Sequence, residues 1–178
     1  MPFELQPTLT SEILELRPLQ TGDFEQLYAV ASDTLIWEQH PDSDRHKPDV
    51  FQKFFDEALQ SGGALIALDR NDDCVIGSSR FHGYDPERSQ IEIGWTFLAR
   101  SHWGGVYNGE MKRLMLSHAF RFVDNVLFVV GANNLRSQRA VEKIGGVRSG
   151  TKTDPNGRES FIYRITRGSY RFPIGSSS

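Results

Sequence analysis

Apolar positions along this chain switch between two periods, and the switches mark its elements. Residues 13–17 alternate and predict a short strand ending at Pro18. Thr21, Gly22 and Asp23 offer capping positions, and Phe24, Leu27, Tyr28 and Ala31 follow at helical spacing. Residues 37–48 are polar and predict a loop. Val50, Phe51, Phe54, Phe55, Ala58 and Leu59 then form an amphipathic stripe over 49–60, stopped by Gly62-Gly63. Residues 64–69 and 75–81 read as a hairpin about Asn71-Asp72-Asp73, and 91–98 as a third strand beyond a loop at 84–88. A turn at Trp103-Gly104-Gly105 opens a long helix, 107–123, with Met111, Leu114, Met115, His118, Ala119 and Phe122 on its buried stripe. Residues 126–131 are continuously apolar, as in a strand covered on both faces. A helix at 134–144 ends on Gly145-Gly146. Residues 147–151 and 160–165 make a last hairpin around Asp154-Pro155-Asn156-Gly157.

The order βααβββαβαββ predicts an α/β (α+β) fold, a mixed central sheet of about seven strands with helices on both faces. Strand 91–98, helix 107–123 and strand 126–131 form a βαβ unit, so those two strands should run parallel. A length of 178 residues fits one domain, expected over 12–167, with an N-terminal extension at 1–11 and a C-terminal tail at 168–178 that frays at its last residues, Gly175 to Ser178.

Composition narrows the class. With 12 Phe, 5 Tyr and 3 Trp the chain can fill a large core, which excludes general disorder. Cys74 is the single cysteine, which excludes an internal disulfide framework and a multi-cysteine metal site. No apolar run reaches bilayer length and no secretory signal is visible, so a cytoplasmic enzyme without a membrane partner is expected. The net charge of −3 argues against a nucleic-acid partner. Charge is uneven, however: residues 103–150 carry +4 and residues 30–62 carry −4.

Chemistry concentrates at the turn before the long helix. Gly104, Gly105 and Gly109 allow close backbone approach, and the helix start presents free N–H groups, which suits an anion; an ordinary tight turn would look the same. Ile93-Gly94-Trp95 leads into Trp103-Gly104-Gly105-Val106-Tyr107-Asn108-Gly109-Glu110. Later come Asn134-Leu135-Arg136-Ser137 and Glu142-Lys143-Ile144-Gly145, and the domain opens with Leu16-Arg17-Pro18-Leu19 and Asp23-Phe24. Together these resemble the GNAT superfamily of N-acetyltransferases, over about residues 12–167. Within it they are most similar to the branch of ribosomal-protein N-terminal acetyltransferases (RimJ/RimL-like). The pattern departs from the family at Val106 and Asn108, where small residues are usual, and at Gly146, where Phe is usual.

The resemblance implies acetyl-CoA as cofactor. Its pyrophosphate would meet the backbone of Trp103, Gly104, Gly105, Val106, Tyr107, Asn108 and Gly109, and its pantetheine arm the backbone of Thr96, Phe97 and Leu98. Asn134, Arg136, Ser137 and Arg139 would complete the cofactor site. Ser137 would give a proton to the departing thiolate; a serine in a first helical turn also commonly just bonds backbone. Glu92, with parity opposite to Ile91 and Ile93, is the candidate base that takes the ammonium proton, or else a strand-face acid paired with a cation. His40, Asp42, Asp44 and His46 could ligate a metal, but they sit on a proline-containing polar loop, and no metal is expected. In this fold that loop borders the acceptor, so Trp37, His40, Asp42 and Asp44 are expected to recognise a cationic amine. The expected activity is acetyl transfer to a primary amine, a protein N-terminus or a small molecule, by direct attack, in a monomer or homodimer. A non-catalytic acyl-CoA-binding module on the same fold is the alternative.

Overall fold

Residues 2–170 are described in the computed structural model, and the tail expected at Gly175–Ser178 lies outside them. The first half of the chain forms β1 (Leu9–Thr10), β2 (Leu14–Pro18), α1 (Phe24–Ala31) and α2 (Pro48–Ser61), then β3 (Ala64–Asp69), β4 (Cys74–Asp85) and β5 (Gln90–Leu98). The second half forms α3 (Tyr107–Ala119), β6 (Asn125–Gly131), α4 (Leu135–Lys143), β7 (Val147–Thr153) and β8 (Glu159–Thr166). These are the expected helices and strands in the expected order, with one strand added. β1 lies in the segment read as an extension and pairs antiparallel with β2, Leu9 opposite Leu16. The long helix stops at Ala119, because the next residues tighten: Arg121 and Phe122 donate to the carbonyls of His118 and Ala119, three residues back.

All eight strands make one sheet, in the order β1-β2-β3-β4-β5-β6-β8-β7. Every pairing is antiparallel except β5 with β6, which is parallel, as a βαβ crossover requires. Helices cover both faces. On one, Phe51, Phe54 and Phe55 of α2 and Leu27 and Ala31 of α1 pack over Ala64, Ile66 and Phe97. On the other, Met111, Met115 and Ala119 of α3 pack over Leu14, Leu16, Ile91 and Ile93, with Val141 of α4 in the same layer. Phe3 closes that layer, its ring against Phe81, His118 and Phe122. Among the described residues no helix is long and apolar enough to cross a membrane.

Candidate active site

The sheet forks. β5 and β6 pair only over Gln90–Asn125, Ile91–Val126 and Glu92–Leu127, and beyond Glu92 they part. On its other edge β5 keeps pairing with β4 up to Gly77–Leu98, through a bulge at Trp95 and Thr96, which together stand opposite Ser79. Trp95 carries a left-handed φ of 53° there, a conformation a bulky residue holds only when its surroundings impose it. The bulge turns Thr96 toward α3. Its hydroxyl lies 2.8 Å from Ser79 Oγ and receives Lys112 Nζ, also at 2.8 Å. Phe97 is buried under α2, and the Leu98 carbonyl accepts from Trp103 Nε1 at 2.9 Å.

At the far end of β5 the chain turns into α3. Gly104 takes a φ of +69°, and the Cβ positions of Gly104, Gly105 and Gly109 face open space. Val106 is the N-cap of α3, offers no side-chain cap, and points its isopropyl group outward at 65% exposure. Among the described residues the first N–H groups of the helix therefore have no acceptor, and the Val106 side chain does not cover them. Tyr107 turns inward: its hydroxyl donates to Asp69 Oδ2 at 2.9 Å. His102 Nε2 contacts the same oxygen at 2.9 Å, and Asn71 N–H donates to Oδ1 at 2.9 Å. Burial would raise the Asp69 pKa, but these hydrogen bonds hold it below the ordinary carboxylate value. Asp69 thereby anchors both sides of the 103–106 turn to the end of β3.

Glu92 sits at the fork itself, half-buried, with one carboxylate oxygen beside Gly94. Burial pushes its pKa up, offset in part by Lys152 and Arg80. No ion pair is formed by Glu92 among the described residues, which leaves its carboxylate able to take a proton. Across the sheet, α4 begins at Asn134, whose Oδ1 caps the helix by accepting Ser137 N–H at 3.3 Å. Ser137 Oγ makes no hydrogen bond among the described residues, so its hydroxyl is not committed to the backbone. Arg136 stacks on the Trp103 ring at 3.9 Å and donates to the Ile36 carbonyl at 2.9 Å, bridging the turn, α4 and the segment after α1. Arg139 is exposed.

The segment after α1 crosses the α1/α2 face of the fork. Trp37 is buried and donates from Nε1 to the Ala31 carbonyl. His40 accepts the Asp42 N–H on Nδ1, and burial with the charge of Arg45 lowers its pKa to about 4. Asp42 pairs with Arg45 at 2.7 Å and with Arg158 at 3.1 Å, while Asp44 is exposed. Asp42 thus has its charge matched from within the chain.

Four residues near the site carry no local sequence signal. They are Asp69, Arg80, His102 and Lys112. Lys112 falls on the helix stripe next to Met111 and reads as surface, yet its ammonium is buried between Thr96 and the Phe128 ring, and burial lowers its pKa to about 7. Among the described residues no group of three or more His, Cys, Asp or Glu side chains is placed to hold a metal ion.

Comparison with known proteins bears on this geometry. A family model for an acetyltransferase (GNAT) domain matches residues 14–147. A GCN5-related N-acetyltransferase from Brucella melitensis superposes with a TM-score of 0.83 at 18% identity, over 94% of this chain and 82% of that one. Spermidine N-acetyltransferase from Vibrio cholerae, solved with CoA and spermine, gives 0.68 at 16% identity, over 90% and 99%. Mycobacterium smegmatis RimJ, solved with CoA-disulfide, gives 0.65 at 18% identity, over 92% and 87%. None of the curated proteins matches the chain by sequence.

Proposed function

The chain belongs to the GNAT acetyltransferase family, and from that membership we propose that it moves an acetyl group from acetyl-CoA to a primary amine by direct attack in a ternary complex. The observation that carries this reading is the fork: β5 and β6 part at Glu92, and the open side leads to the free helix start behind Gly104 and Gly105. The features present suit the donor. Amides at 104–109 would take its pyrophosphate, and the β5 edge freed of β6 would bond its arm like an added strand. When bound, the donor supplies an activated thioester carbonyl.

The chain's own residues do the rest. Glu92 accepts a proton from the bound ammonium, directly or through water, leaving the lone pair free to attack. The new bond joins amine nitrogen to carbonyl carbon, and the carbon–sulfur bond breaks. Ser137 gives a proton to the departing sulfur, and the second proton that the nitrogen sheds on becoming an amide restores the serine hydroxyl, directly or through water. Backbone N–H groups along β5 supply donors for the developing oxygen charge. Cys74 is exposed at the start of β4, and partial desolvation with the negative charges of Asp69, Asp72 and Asp73 raises its pKa, which speaks against a covalent acyl-cysteine route.

Branch membership with the ribosomal-protein N-terminal acetyltransferases, cytoplasmic residence and a homodimer belong to the same reading. The motif resemblance and the likeness to RimJ support the branch. Calorimetry with acetyl-CoA, paired with free-thiol release across amines and peptide N-termini, tests the function. Binding with thiol release is expected. Binding without release across the panel would overturn the catalytic reading in favour of a binding module.

A further inference from the structure

Arg80 is 5% exposed on β4, and its Nε and Nη2 are sealed from solvent with no hydrogen-bond partner among the described residues. Buried guanidinium N–H groups are almost always paired, so two open donors mark a place where a ligand group is missing. The surroundings hold the cation without using those donors. Its guanidinium carbon lies 4.4 Å from the Trp95 ring centre and 5.6 Å from the Phe54 ring centre, and aromatic faces attract a cation without accepting its N–H groups in the fork geometry. The acids around it leave these donors open: Glu57 and Glu92 act on Arg80 through their charge and form no ion pair with it among the described residues. Asp42 is taken by Arg45 and Arg158. Arg45 rests on the same Phe54 ring at 4.5 Å, adding a second positive charge beside it.

The geometry points to Arg80 as the recognition group for a carboxylate borne by the amine acceptor. This rests on the acetyl-transfer reading of the same site. The register explains the placement. Arg80 pairs with Gly94 and His82 with Glu92, so Arg80 and Glu92 are diagonal neighbours on one face of the sheet, about 7–8 Å apart at the backbone. An acceptor whose amine meets Glu92 can lay a carboxylate a few bonds away on the guanidinium, two N–H groups to two oxygens. Donor phosphates are served elsewhere, at Gly104 and Gly105 beyond the opposite end of β5, so the open donors at Arg80 belong to the other substrate. Burial and the charge of Arg45 lower its pKa to about 10, and it remains a cation at neutral pH.

The test uses matched probes on the intact protein. β-Alanine is compared with β-alaninamide, and the peptide Ala-Glu-Ala-amide with Ala-Gln-Ala-amide, by kcat/KM for thiol release. Each carboxylate probe is expected to exceed its amide by about tenfold or more, and Arg80→Met should collapse that ratio toward one. The arm with the larger ratio says whether the carboxylate comes from a free amino acid or a peptide side chain. Equal rates for both members of both pairs, or a ratio that survives in folded Arg80→Met, overturns the inference while leaving acetyl transfer standing. Binding is read separately, by Trp fluorescence on titration with β-alanine and the Glu peptide. Saturable quenching lost in Arg80→Met supports the inference even if no amine is acetylated. Quenching that is absent, or that the variant keeps, overturns it. Arg80→Lys, which keeps the charge but not the fork, should restore only part of the ratio and guards against a folding defect.

Discussion

Lys112 donates to the Thr96 hydroxyl at 2.8 Å, joining α3 to the bulged stretch of β5 at the mouth of the fork. The ammonium is buried, and burial alone lowers its pKa from 10.5 to about 7. Below pH 7 folded and unfolded chains both carry the proton, and the folded state bears the full desolvation cost. Between about pH 7 and 10.5 the folded state has shed the proton and the unfolded state has not, so stability rises with pH. Lys112→Met should therefore stabilise the protein by about 1–4 kcal/mol at pH 7, and the gap should close toward pH 10.5. Thermal melts of both proteins across that range check it; a constant gap would contradict it.

Glu92 can act as a base only when ionised, and its burial moves that ionisation above the ordinary carboxylate range. The acidic limb of kcat should accordingly lie above the usual carboxylate pKa, with activity lost as pH falls through it. Glu92→Gln should lower kcat by about 10²–10⁴-fold and remove that limb. A pH profile of both proteins decides, and a limb that persists in the variant would assign it to another group.

Ser137→Ala should lower kcat while leaving donor affinity nearly unchanged, because the Asn134 cap uses the Ser137 backbone and not its hydroxyl. Steady-state kinetics with calorimetry of donor binding separates the two. Unchanged turnover would remove the serine from the reaction.

Asp69 predicts the opposite split. Its carboxylate gathers Tyr107, His102 and the Asn71 amide, and so fixes the turn that would meet the donor's phosphates. Asp69→Asn should weaken acetyl-CoA binding by about tenfold, as expected for one charge-assisted hydrogen bond, with kcat at saturating donor little changed. Calorimetry checks the affinity. A loss confined to kcat would show that Asp69 acts on the chemistry instead.

Gly146 stands where the family usually has Phe, and the backbone packing explains it. A Cβ there would come within 2.5 Å of Val141 Cγ1 and 2.9 Å of the Val141 carbonyl oxygen. Gly146 N–H also donates to that carbonyl at 3.0 Å, closing the end of α4. Gly146→Ala should cost about 1–3 kcal/mol, read as a lower melting temperature. An unaltered melt would mean that α4 shifts freely.

Local signals made much of this legible in the sequence. The glycines before α3 depend on neighbouring residues, helical periodicity with glycine stops placed α2 and the start of α3, and the βαβ order placed the parallel pair. The two-residue β1 was too short to show a period, and β4 extended past 81 because its partner β5 continues opposite it. The bulge at Trp95 has no composition cue, since the ring sits at a backbone angle normally left to glycine. Arg80 and Asp69 were invisible for another reason. One is buried by α2, distant in sequence, and the other acquires its partners from residues 33 and 38 positions further along.

The three-residue pairing of β5 with β6 has a mechanical side. Among the described residues it is the only strand pairing between two antiparallel blocks, β1 to β5 on one side and β6, β8 and β7 on the other. Whatever lodges in the opening supplies the missing rungs of a ladder, so occupancy would weld the blocks together, and amide exchange should slow far from any atom of the guest.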